Sequence, residues 1–374
     1  MKDTLAQLVK IDSVSSRSNI EIATYLESRC ERKGFTVRRF PYTDEDGIAK
    51  VNLVAIAGVE FNDNARVELA IVGHTDTVPF DPNWEDALSL SERDGKLYGR
   101  GSCDTKAFIA AALTAVDALD LQNLRRPLAL VFTADEEVGL LGAKHLAELR
   151  PISPRYSIVG EPTSLQPMRA GKGYCLAEVI VSGREAHSAY PSFGASAIFR
   201  AARLISRLES IVEQLKTEQH PGFDPAYTTV NVGLIRGGTA KNVIAGECRF
   251  TLEWRPIPGQ EPGHVLDLVA QAIDDEKRGD SDFECLVKPT RSDTGFETPA
   301  DSALVRLLET ATGKCSSTVA FGTEAAQMNQ LGAESVVLGP GDIRVAHRTG
   351  EFVPVEQLLR CGEILTRAIC DLCC

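Results

Sequence analysis

Four short segments of the sequence combine residue types that ligate metal ions or move protons. They are His74-Thr75-Asp76, Asp135-Glu136-Glu137, Glu161-Pro162 and GPGDIRVAHRTGE, which contains His347. Each follows an apolar run of strand length, at 67–73, 128–133, 156–160 and 335–338. Taken singly, a His-x-Asp reads more readily as a surface pair and Asp-Glu-Glu as a solvated loop. Their recurrence after four such runs favours one shared site. Two imidazoles and at least three carboxylates on one edge are costly to pack unless a cation compensates their charge, so a divalent metal centre is the economical explanation. Extended backbone puts His74 and Asp76 on the same face, where Asp76 can orient the imidazole from behind. Adjacent Glu136 and Glu137 point in different directions, so one can bind metal while the other accepts a proton.

The elements that must carry these residues follow from the same runs. Open α/β sheets gather their ligand sites at the carboxyl ends of parallel strands. Apolar runs (52–57 as well as the four above) alternate with helical patterns at 20–33 and 106–119 through the first part of the chain. That alternation predicts an α/β fold with a mostly parallel central sheet flanked by helices. From about residue 174 the pattern becomes strand 174–181, helix 192–215, strands 228–235 and 242–254, helix 261–274 and strand 282–288. This β-α-β-β-α-β order predicts a separate α+β, ferredoxin-like domain. In its long helix an apolar stripe through Ile198, Ala201, Leu204, Ile205, Leu208 and Val212 faces the sheet, with Arg200, Arg203, Arg207 and Glu213 opposite. The expected organisation is 1–173 as the first part of the large domain, 174–290 as an insertion and 291–374 as its second part.

Composition narrows the function. The 374 residues are 43% hydrophobic and 25% charged, ordinary globular usage for a chain of two to three domains. With 40 basic and 52 acidic side chains the formal net charge is −12, the wrong sign for a protein that gains affinity from phosphates. Nucleic acid and anionic membranes are excluded as expected partners. Polar residues interrupt every apolar run at the N-terminus, and no run approaches about 18 apolar residues, so neither a secretory signal nor a membrane span is expected. The ten cysteines are mostly scattered, which suits reduced thiols and a cytoplasmic protein. Cys370 and Cys373 have half the spacing of a zinc site without a second pair, and read as part of a frayed helix end.

A longer motif set carries a resemblance. HTDTVP, GRGSCDTKA, DEEVGLLGAK, GEPT and AHRTGE, in this order along nearly the whole chain, resemble the acetylornithine deacetylase, succinyl-diaminopimelate desuccinylase and carboxypeptidase family of di-zinc amidohydrolases and peptidases. Asp104, which alone would read as a helix cap, is by that resemblance the carboxylate bridging two zinc ions, for which cobalt can substitute. His74 and Glu161 then hold one ion, Glu137 and His347 the other, with Glu136 as general base and Asp76 behind the imidazole. The resemblance also implies a cis peptide at Asp104-Thr105; Thr105 and Ala107 stand where methionine and glycine are commoner. GREAHSAYPSFG implies that His187 reaches a partner subunit's active site, so that the inserted domain serves as dimerisation surface and lid of a homodimer. Asn242, Arg255 and Thr323 (in GTEA) correspond to residues that meet the substrate, Arg255 by gripping an α-carboxylate. His145, His220 and His264 match no motif. The implied reaction is removal of the acyl group from an N-acyl amino acid, N-acetylornithine first. A desuccinylase, a general aminoacylase, a dipeptidase or carboxypeptidase, and a non-catalytic binding homologue are the alternatives.

Overall fold

A computed structural model describes all 374 residues and divides into two units. The first comprises Met1–Arg169, Glu297–Ser317 and Thr323–Cys374, the second Ala170–Phe296 and Thr318–Gly322. The expected boundaries at 173/174 and 290/291 therefore move by several residues. Backbone pairing accounts for one shift: Lys172 donates to the Val319 carbonyl and Gly173 to that of Pro256, tying both to the second unit.

In the first unit six strands lie in the order Thr36–Thr43, Ala49–Ala57, Leu128–Thr133, Ala65–His74, Ile152–Val159 and Glu334–Val337. The last four pair in parallel, so His74, Thr133, Val159 and Val337 end at one edge. The first two are antiparallel additions. Leu69, Ile71, Leu128 and Leu130 join one buried cluster with the helices Lys2–Lys10, Lys106–Asp117 and Val355–Cys373. The alternating Ala70, Val72, Ala129 and Val131 are equally buried on the opposite face. Burial of both faces is why these strands read as continuous apolar runs.

The second unit is the expected β-α-β-β-α-β arrangement. Its four antiparallel strands lie in the order Thr229–Gly237, Glu247–Arg255, Tyr174–Ser182 and Cys285–Asp293, with the helices Ala197–Leu215 and His264–Gly279 packed on them. Two local expectations fail. The long helix begins at Ala197, not 192, because Pro191–Phe193 form a separate turn and Ser196 Oγ caps the helix by accepting from Phe199 N. Arg200 is buried rather than on the polar face: it pairs with Asp280 at 2.6 Å and donates to the Ser182 carbonyl, while Ile198 is exposed. The true stripe runs Ala197, Ala201, Leu204, Leu208, Ile211 and Leu215.

The C-terminal cysteines are not at a frayed end. Cys373 is buried, and its carbonyl accepts from Arg125 and Arg126 backbone N–H groups. No helix of the chain is long and apolar enough to cross a membrane.

Candidate metal and catalytic centre

The parallel strand ends deliver the site. His74 is the last residue of its strand; Asp135, Glu136 and Glu137 follow Thr133, and Glu161 follows the strand ending at Val159. Glycines let this edge close up. A Cβ on Gly160 would lie 2.2 Å from the Phe108 ring, and one on Gly339 would lie 2.4 Å from the Glu161 carbonyl oxygen.

Asp104 sits between two imidazoles. Its Oδ1 is 3.2 Å from His74 Nε2 and its Oδ2 is 3.2 Å from His347 Nε2. His347 Nε2 also lies 3.0 Å from Glu137 Oε1. Ligand atoms of His74, Asp104 and Glu137 fall within 4.8 Å of one another. Asp104 does not cap the following helix, whose N-cap is Thr105, and the Asp104-Thr105 peptide is cis. Glu161 is buried beside the cluster, close enough for the charges of Asp104 and Glu136 to act on it.

The electrostatics describe a site lacking positive charge. Burial raises Glu136 well above the usual carboxylate range despite His74, and the charges of Glu137, Glu324 and Asp104 add to it. Burial does the same to Glu161, reinforced by Asp104 and Glu136. Burial opposes a charged His74, yet its contacts with Asp104 and Asp76 carry it well above the ordinary imidazole value. Hydrogen bonds to Asp104 and then Glu137 lift His347 to about 10. Burial would raise Asp104, but the two histidines outweigh it and hold that carboxyl below the usual range. Carboxylates that repel one another and imidazoles drawn toward their charged form are what a divalent cation would compensate. The donor set of two imidazoles and three carboxylates, without thiolate, fits divalent ions such as zinc, with Asp104 offering one oxygen to each side.

This has a pH consequence. A metal ion must displace the protons on His74 and His347, so its affinity rises with pH until His347 titrates near 10. Calorimetric titration of zinc at pH 7.5, in buffers of different ionisation heat, is expected to show release of at least one proton per chain. No release would contradict the ligand assignment.

Asp76 has contacts beyond the one expected with His74. His74 Nδ1 meets the Asp76 backbone carbonyl at 3.0 Å, whereas the carboxylate lies 3.6 Å away. The Asp76 carboxylate also accepts the N–H groups of Glu136 and Glu137, at 3.1 and 3.2 Å, and the Ser15 hydroxyl at 2.8 Å. Asp76 thus braces the Glu136-Glu137 turn. From the other side, Asp135 has φ +54°, a conformation non-glycine residues hold only when their surroundings fix it. Buried Lys50 donates to Asp135 Oδ1 at 2.6 Å and Tyr42 to Oδ2 at 2.8 Å, which supplies that constraint. Sequence reading missed Lys50, Tyr42 and Ser15; the single charged residue in the strand segment AKVNLVAIA, Lys50, was the available signal. It also passed over Glu324, buried beside Thr323, which burial pushes up to about 7 against the charge of His74 and the nearby Thr133 hydroxyl.

The remaining expected residues have local settings of their own. Thr323, in the first unit, accepts from Ala325 N through its hydroxyl at 3.3 Å, just before the short helix Ala325–Gln330, whose N-cap is Glu324. In the second unit exposed His187 bridges Val243, next to Asn242, whose carbonyl accepts from Ser188 N. Arg255 ends its strand over the Tyr174 ring at 4.4 Å, with Nε donating to Glu253. His264 pairs with Glu218 and His145 lies against Tyr42.

Known proteins match this architecture over its whole length. Residues 70–371 match the model of peptidase family M20/M25/M40. The chain belongs to this family. Across 374 residues, all of this chain and 97% of the relative, it is 53% identical to an acetylornithine deacetylase from Myxococcus xanthus. It is 35% identical over 368 residues to one from Proteus mirabilis, covering 97% of this chain and 92% of that protein. Among solved structures, a Staphylococcus aureus tripeptidase superposes with a TM-score of 0.78 at 24% identity, covering 98% of this chain and 97% of that one. A dinuclear metal-binding M20 peptidase from Bacillus subtilis superposes with a TM-score of 0.69 at 14% identity, covering 99% and 97%. As an M20-family member the chain is a metal-dependent hydrolase of amide bonds.

Proposed function

We propose that this M20-family chain is a zinc-dependent deacetylase that converts N-acetylornithine to ornithine and acetate, acting as a cytoplasmic homodimer. Asp104, set between two imidazoles with a separate, buried Glu136 alongside, is the observation that carries the hydrolytic reading. The substrate follows the name of the 53%-identical relative.

His74, Asp104 and Glu161 would hold one zinc ion and Asp104, Glu137 and His347 the other. When bound, zinc supplies a Lewis acid for the amide carbonyl and a water of lowered pKa. Glu136 takes a proton from the attacking water as its oxygen bonds to the carbonyl carbon. The same carboxyl then gives that proton to the amine nitrogen as the C–N bond breaks, and the second water proton passes from the new carboxylic acid to the amine, leaving acetate and the ammonium form of ornithine. A buried carboxylate with a raised proton affinity suits both transfers. Asp76, Lys50 and Tyr42 keep it in place.

His187 would donate to the oxyanion. Its Nδ1 accepts from Ala189 N at 3.1 Å, which leaves Nε2 as the ring nitrogen available to donate. Arg255, held by Tyr174 and Glu253, would grip the α-carboxylate; Asn242 and the Thr323 hydroxyl would complete the substrate contacts. Exposed Phe193, Phe199, Leu234 and Ile235 on the second unit, two of them on the edge strand Thr229–Gly237, support its use as a dimer surface. Free cysteines throughout support a reducing compartment.

The test is kcat/KM for N-acetylornithine, N-succinyl-diaminopimelate, N-acetylmethionine and a dipeptide. N-acetylornithine should lead by more than about tenfold, some 1.4 kcal/mol. The net charge of −12 favours approach of its cationic side chain over a dicarboxylate. A tenfold preference for another substrate would overturn the specificity, and inactivity on all four with zinc present would favour a binding homologue.

A further inference from the structure

Glu351, four residues beyond His347, is buried against the loop that carries Asp104. Its Oε1 accepts from Cys103 N at 2.8 Å and Asp104 N at 3.0 Å. Its Oε2 accepts from Gly101 N at 3.1 Å and Arg100 Nη1 at 2.6 Å. Its backbone carbonyl accepts from Gly99 N at 3.1 Å and the Ser102 hydroxyl at 3.3 Å. One residue thus receives a donor from every position between Gly99 and Asp104. A carboxylate has about four acceptor sites, and all four are used here by donors of one loop.

The loop needs such a partner. Four of these six donors are backbone N–H groups of a turn outside any strand, and leaving them unpaired in a buried place would be costly. Asp104 must present its two oxygens in opposite directions, to His74 and to His347, so a small rotation of this turn breaks one contact or the other. His347 itself stands on a loop at φ +59° with its side chain half exposed, and burial does little to hold it. Glu351 anchors that loop as well, since the chain continues directly into Phe352–Pro354, which pairs with Lys96–Tyr98 on the way to Gly99.

We propose that Glu351 is a positioning residue for the metal centre: it locks the Asp104 turn and the His347 loop to each other, and so sets the affinity for the ions between them. The proposal rests on the reading of Asp104 and His347 as ligands. Glu351→Gln is the informative variant, because it keeps the volume but replaces one acceptor oxygen by an NH2 group that must face Arg100 or the backbone donors.

Zinc affinity is measured on metal-stripped protein by competition with a chelator, and the cobalt-substituted proteins are compared by their visible absorption. Glu351→Gln is expected to bind zinc about 10–100-fold more weakly than wild type, the range seen when a group that orients ligands is lost, and to change the cobalt bands. Leu365→Ala, which opens a cavity in the core midway along the C-terminal helix and removes none of these hydrogen bonds, is expected to lower Tm and to retain wild-type affinity. Should Glu351→Gln not fold, Arg100→Lys, which removes the forked donor from Oε2, is expected to weaken zinc binding in the same direction. Wild-type affinity in whichever of the two variants folds, or an equal loss in Leu365→Ala, would overturn the proposal while leaving the ligand set standing. A wild-type chain that binds no zinc would overturn the ligand set and the brace together.

Discussion

Glu136→Gln is expected to keep its metal and lower kcat by about 10²–10⁴-fold, the contribution of a well-placed proton carrier. The amide has nearly the shape of the carboxyl, and the brace around Glu136 acts on its backbone: Asp76 accepts its N–H, and Lys50 and Tyr42 fix the preceding residue. The turn should therefore survive, and with it the placement of Glu137 on His347. Only the proton acceptor is lost. Glu137→Gln should behave oppositely, with reduced metal content and activity that recovers in part at high zinc. Parallel measurement of kcat and bound zinc separates the two. Near wild-type turnover in Glu136→Gln, or equal metal loss in both variants, would be incompatible with the division of labour between these neighbours.

His347→Ala should have an effect of similar size by another route. His347 Nε2 lies between Asp104 and Glu137, and in the metal-free chain its hydrogen bonds to them raise its proton affinity to about 10, a sign of how strongly that position favours a cation. With the imidazole gone, two carboxylates share one position with a single type of donor. Zinc there should bind more than about 100-fold more weakly, beyond the loss typical of groups that merely orient ligands. His74 and Glu161 keep the other position, so one ion per chain should remain, and kcat/KM should fall with the lost ion. Elemental analysis after gel filtration at limiting zinc gives the count; two ions per chain in His347→Ala would contradict the ligand assignment.

The strands and the residues at their ends were legible because both sheet faces are buried. That makes the runs ending at His74, Thr133, Val159 and Val337 mostly apolar, and the ligand-type residues that follow them conspicuous. The second unit was legible for the complementary reason, since its single-faced sheet and two amphipathic helices follow simple periodicities. What escaped was the polar scaffold. Lys50, Tyr42, Ser15 and Glu351 act on backbone groups or on neighbours 61 to 251 positions away, and no local pattern announces such pairings. Asp76 was placed on the correct face, and its carboxylate stands 3.6 Å from His74 Nδ1, but the nearer contact, through its backbone carbonyl, depends on the turn at 76 and not on side-chain alternation. Arg200 was misassigned because a helical stripe fixes a face only to within a residue, and Asp280 pairs with Arg200 where the stripe predicts solvent.

The central claim is that this cluster works by holding two zinc ions, and reconstitution tests it most directly. The protein is stripped with a chelator, zinc is returned stepwise, and hydrolysis of N-acetylornithine is followed together with bound metal. Activity should vanish on stripping and return in proportion to zinc retained, levelling off at two ions per chain. Full activity in the exhaustively stripped protein would contradict it.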